Sequence, residues 1–173
     1  FTHWARAFEV NSADASNAAA LRDTSSPQAL AQHPYLSPSV FNFYRPAFVA
    51  LGTETGDAGL TAPEWQITNA TSIVGYPNFI TRYAFEAAPA ERPGLPASFV
   101  PDYSAEVALA DDPGALVAHL DRKLAHGALR PATRQRIADI LELLEAATDQ
   151  GRLVRARVAS VLVMSTPEYI VLR

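Results

Sequence analysis

The placement of proline constrains this chain more than any other feature. Eight of its thirteen prolines fall between residues 35 and 103, together with twelve of its sixteen aromatic residues. Proline locks φ and removes a backbone donor, so Pro34, Pro38 and Pro46 exclude a continuous helix or a central strand across residues 33–59. The rings among them, Phe41, Phe43 and Tyr44, are too apolar for a solvated coil. The segment therefore reads as an ordered loop laid across a helical body with its rings pressed inward. Beyond Tyr103 the pattern reverses. Tyr169 is the one aromatic left, and Pro113, Pro131 and Pro167 stand at helix starts, where a missing N–H is unpaired anyway.

Apolar spacing then predicts the helices. Asp112-Pro113 opens one that buries Leu116, Val117, Leu120 and Leu124 and closes at Gly127. Pro131 opens a second, with Ile137, Ile140, Leu141 and Leu144 on one face and Gly151 following it. A third is expected from about Arg152 to Ser165, with Val154, Val158, Val161 and Leu162 inward, before a last turn at Thr166-Pro167-Glu168. In the first half, Phe1, Trp4 and Phe8 share a helical face. A stripe that starts at the first residue lacks an upstream cap, so the natural chain is expected to begin earlier. Ser25 or Ser26 is expected to cap a short helix through Ala31. Thr61-Ala62-Pro63-Glu64 has the form of a capping box, predicting a helix to about Phe85 with Trp65, Ile73, Tyr76, Ile80 and Tyr83 inward and a kink or break at Pro77. A proline-rich connector follows over residues 87–101.

No alternating strand pair with a hairpin turn occurs. The expected class is all-α: a helical-bundle-like domain with long proline- and aromatic-rich ordered loops, part of a larger helical protein. Residues 1–103 form the aromatic, proline-rich segment with helices near 1–10 and 62–85. Residues 104–173 form a C-terminal three-helix segment, the two together making one domain or part of one.

Composition narrows the function classes. Hydrophobic residues make up 49% and charged residues 18%, enough apolar material for a core. A net charge of −4 without a basic stripe gives no footprint for nucleic acid. The absence of cysteine removes disulfides, thiolate metal sites and cysteine nucleophiles. No run of about 18 apolar residues predicts a membrane span. His3, His33, His119 and His126 show no H-E-x-x-H pattern, and His119 and His126 stand two helical turns apart, too far for one metal. Neither a metal site nor a cofactor is expected. The Gly-rich stretch 52–59, with Glu54 and Asp57, lacks the spacing of a calcium loop and reads as a solvated turn. There is no G-x-S-x-G nucleophile elbow.

Three motifs carry a resemblance. They are Ser37-Pro38-Ser39-Val40-Phe41-Asn42-Phe43-Tyr44-Arg45-Pro46, Gly59-Leu60-Thr61-Ala62-Pro63-Glu64-Trp65-Gln66-Ile67, and the terminal run from Ser165-Thr166-Pro167-Glu168-Tyr169 to Arg173. In order and spacing they are similar to the C-terminal part of the DUF1800 family. Trp65 departs from it, standing where Phe or Leu is usual. The resemblance implies a longer, mainly helical bacterial parent protein, often exported to the periplasm or secreted, and often encoded beside a DUF1501-type protein. It implies no catalytic roles.

The residues placed as a candidate cleft or interface are Phe43, Tyr44, Arg45, Glu64, Trp65 and Asn69. Tyr44 and Arg45 beside Phe43 have the chemistry to stack on a sugar or another planar group. The structural alternative has the rings plug the core, Arg45 bond free carbonyls and Glu64 serve the capping box. The expected function is a structural or partner-binding helical module that meets its own N-terminal portion and a DUF1501-type protein. The alternative is a hydrolase-type enzyme whose site is shared with the missing N-terminal half.

Overall fold

The structure, a computed structural model, describes residues 2–9, 24–33, 35–85 and 101–170. As expected, the fold is all-α. Among the described residues the β structure is one isolated bridge, Ser39 to Asn42. The chain divides into two compact units: residues 1–20 with 80–173, and residues 21–79. Phe1 and the connector at 87–100 lie outside the described residues.

The larger unit is built around α5 (Pro113–Ala125). Against it pack α1 (Thr2–Ala7), α4 (Ser104–Ala108), α6 (Pro131–Glu142), α7 (Asp149–Met164) and α8 (Pro167–Ile170). Local chemistry explains the ends of α5. The Asp112 carboxylate accepts from the Ala115 amide at 2.9 Å, and Pro113 occupies the first turn. At the other end His126 and Gly127 both take left-handed backbone, φ 55° and 78°, and both donate to the Asp121 carbonyl. The four residues expected inward on α5 are all buried, as are Trp4 and Phe8 from α1 and the residue just past it. Phe8 meets the Tyr103 ring at 4.7 Å. On α6, Ile137 and Leu141 are buried, but Ile140 is exposed.

The last long helix differs from expectation. It begins at Asp149, capped by Thr148, whose hydroxyl accepts from the Gly151 amide at 3.0 Å. Gly151 thus lies in the first turn of α7, where a Cβ would come within 2.7 Å of the Glu145 carbonyl. The face buried deepest is Ala156, Ala159, Ser160 and Val163, at i, i+3, i+4, i+7 spacing, while Val154, Val158, Val161 and Leu162 are half-buried. Small side chains let α5 and α7 approach closely, and the branched residues flank that seam. Arg155 is also buried, donating to the carbonyls of Ala110 (2.8 Å) and Leu144.

The smaller unit is held together by turns. Thr24 is buried, its hydroxyl donating to the Gln32 carbonyl at 2.6 Å and its amide to His33 Nδ1 at 3.1 Å. The short helix expected through Ala31 is instead a turn, with Ala29 and Ala31 amides both donating to the Ser26 carbonyl and Ala31 in left-handed backbone. The stretch 52–59 holds a four-residue helix, α2 (Glu54–Asp57), capped by the Thr53 hydroxyl. The capping box at Thr61 does not form. Pro63–Ile67 is a 3₁₀ turn with no side-chain cap, and the helix after it, α3, spans Ala70–Phe85. Its cap is Asn69, whose Oδ1 accepts from the amides of Thr71 (3.0 Å) and Ser72 (3.1 Å) while Ser72 Oγ accepts from the Asn69 amide at 2.9 Å. The helix runs unbroken through Pro77.

Candidate functional site

The smaller unit carries all six candidate residues, and two hydrogen bonds bring their segments together. The Arg45 amide donates to Gln66 Oε1 at 2.7 Å, and the Ala62 amide to the Phe48 carbonyl at 2.8 Å. Residues 48–62 thereby become a closed Ω-type loop. Its interior is tight: Thr53 Oγ1 donates to the Ala50 carbonyl at 2.7 Å, and a Cβ on Gly56 would collide with that carbonyl. The Arg45–Gln66 bond sets the Phe43-Tyr44-Arg45 turn beside the 3₁₀ turn that carries Glu64 and Trp65. Asn69 follows at the start of α3, committed to capping.

Phe43 and Tyr44 are half-buried, while Arg45, Glu64, Trp65 and Asn69 are exposed. No ion pair joins Arg45 to Glu64 among the described residues. The expectation that the rings press inward is corrected here: Phe41 is 58% exposed and Trp65 51%. The turn explains this. Asn42 takes left-handed backbone (φ 66°), and the Ser39–Asn42 bridge folds residues 40–41 into a protruding tip. Among the described residues, nine of the twelve exposed large apolar side chains lie in this unit. Glu54, Asp57 and Glu64 are exposed near Leu51, Leu60 and Trp65 in sequence. Exposed apolar and acidic side chains therefore share these segments.

Burial and charge also bring groups together in the larger unit, apart from the six candidate residues. Glu106 of α4 is fully buried, and its Oε1 accepts from Lys123 Nζ at 2.7 Å and His119 Nε2 at 2.8 Å. Lys123 Nζ also lies 4.2 Å from the centre of the Phe8 ring. Burial pushes the Tyr103 phenol up to about 12. At the end of the chain Glu168 accepts from Arg130 Nε at 2.7 Å and Thr133 Oγ1 at 3.0 Å, and the Arg130 bond foremost lowers its carboxyl to about 2. His119 and Lys123 stand at i, i+4 on one helix, which sequence shows; the carboxylate that meets them comes from another helix, which it does not.

The family model for DUF1800, described as "Protein of unknown function (DUF1800)", matches residues 1–171. The chain belongs to the DUF1800 family. No curated protein and no solved structure matches it. The three DUF1800 motifs have distinct positions in the fold. The first forms the protruding turn, the second the 3₁₀ turn that follows the closed loop, and the third places Glu168 against α6. Among the described residues of this DUF1800 chain, no three His, Asp or Glu side chains converge as a metal cage. No helix there is long and apolar enough to cross a membrane.

Proposed function

We propose that this DUF1800 chain is a non-catalytic helical module that binds a protein partner through the smaller unit. The observation that carries this reading is the concentration of exposed apolar side chains there, Val40 at 94%, Leu51 at 88% and Trp65 at 51% among them. Exposed apolar surface of this kind marks interaction sites, and tryptophan is prominent among interface hot spots. The closed loop supports it further, since a recognition element already ordered before contact loses less entropy on binding. The proposed setting is the periplasm or the cell exterior, and the proposed partners are the N-terminal portion of the parent protein and a DUF1501-type protein.

The test is co-purification of tagged full-length protein from envelope extract, comparing wild type with Leu51→Asp and Trp65→Ala. The expected result is a defined companion held by wild type and lost in both variants, which keep the wild-type circular dichroism spectrum. A monomer with no companion, or a companion retained equally by all three proteins, would refute the proposal.

A further inference from the structure

The start of the described chain and the end of α5 meet at two imidazoles. His3 stands in the first turn of α1, and His126 ends α5 in left-handed backbone. Their ring centroids are 5.2 Å apart, with 41° between the planes. Both residues are exposed, so a dissolved ion reaches them.

The hydrogen bonding of His3 selects its tautomer. Its Nε2 lies 3.1 Å from the Leu124 carbonyl oxygen. A carbonyl only accepts, so Nε2 carries the proton and Nδ1 presents a lone pair. A far-side N–H held by a backbone carbonyl is how metal-binding imidazoles are commonly oriented. The spacing agrees with this. With metal–nitrogen bonds of about 2.0–2.1 Å, two imidazoles on a tetrahedral ion place their ring centres roughly 5 Å apart. The C-terminal end of α5 adds the negative pole of the helix dipole, which favours a cation. The Tyr169 ring stands 6.3 Å from that of His3 and bounds one side. The other two histidines are engaged elsewhere, His33 with the Thr24 amide and His119 with Glu106.

We propose that His3 and His126 form a two-histidine site for a divalent ion of zinc type, with water completing its coordination. The bound ion bridges α1 to the end of α5 and ties α1 to the bundle. With no third His, Asp or Glu ligand among the described residues, the site is open and exchangeable, unlike a closed structural zinc centre.

The experiment titrates Zn²⁺ into full-length protein freed of metal by a chelator, followed by calorimetry and thermal melting. The expected result is one saturable micromolar site, a rise in Tm on zinc addition, and binding weakened about tenfold or more by either His126→Asn or His3→Gln. Asparagine tolerates the left-handed backbone at 126, and glutamine retains a donor for the Leu124 carbonyl. His33→Gln is expected to bind as wild type. The ring resonances of His3 and His126 in the unmodified protein give a reading that needs no variant: zinc should shift or broaden both. Zinc binding unaffected by His126→Asn, ring resonances that do not respond, or no saturable site in wild type would each overturn the proposal, leaving a ring contact only.

Discussion

Glu168 accepts a hydrogen bond from Arg130 Nε at 2.7 Å across 38 residues of sequence, fastening the Thr-Pro-Glu-Tyr turn to the start of α6. The carboxylate side chain is 6% exposed and Arg130 is 72% exposed. The folded carboxyl titrates at about 2 against an ordinary value of 4.5. A depressed carboxyl stabilises the fold fully above its unfolded value and loses that contribution as pH falls through its folded value. Stability should therefore fall between about pH 4.5 and pH 2 in wild type, and this component should be missing from Glu168→Gln. At neutral pH the variant should lose about 1 kcal/mol, since water screens the exposed Arg130. Thermal melts of both proteins from pH 2 to 7 check this; parallel profiles would contradict it.

The buried Glu106 depends on Lys123. Lys123→Met keeps much of the side-chain volume but leaves the carboxylate with His119 alone, in a site that excludes water. Stranding a buried charge costs about 3–5 kcal/mol. Pairing Lys123→Met with Glu106→Gln should recover a large part of that loss. A denaturant double-mutant cycle reads the coupling, and additive single losses would show that the pair does not act as one.

Two competing caps for α3 are separable by substitution. Asn69→Ala removes the acceptor used by the Thr71 and Ser72 amides and should cost about 1 kcal/mol. Thr61→Ala removes a hydroxyl that caps nothing and should stay within about 0.5 kcal/mol of wild type. Urea midpoints decide it, and the reverse order would restore the capping box.

Gly75 lets α3 approach the turn at Pro27. An added Cβ would fall 2.6 Å from the Pro27 carbonyl oxygen and 2.8 Å from the Gln28 Cα, both backbone atoms that cannot swing aside. Gly75→Ala should therefore destabilise the smaller unit by about 1–3 kcal/mol, despite alanine's better helix propensity. Amide hydrogen exchange resolved over residues 24–79 measures this. Unchanged or increased protection would mean that Gly75 is not held against the Pro27–Gln28 backbone.

Much of the fold was legible because helix starts obey short-range rules. Asp112-Pro113 and Pro131 opened helices where their chemistry predicts, Gly127 stood where α5 ended, and the α5 face was read correctly. Errors arose where two local signals competed or packing chose between faces. Thr61 and Asn69 both offer a cap, and the 3₁₀ turn decided for Asn69. On α7 the branched residues advertise a core face, but close approach to α5 selected the alanines. The candidate site was legible as segments: the Arg45–Gln66 bond joins two motifs that sequence could only place in order. Their rings were misjudged, because a protruding turn depends on Asn42 adopting left-handed backbone.

By itself the sequence determined that this protein is helical, where most of its long helices begin, and that its first half is organised by proline, since each follows from the stereochemistry of a few adjacent residues. Only the tertiary structure decided that Glu106 would meet Lys123, that His3 would face His126, and that Phe41 and Trp65 would stay in solvent. Those outcomes depend on how whole helices and turns pack against one another, and residues far apart in the chain carry no local mark of the neighbours that packing gives them.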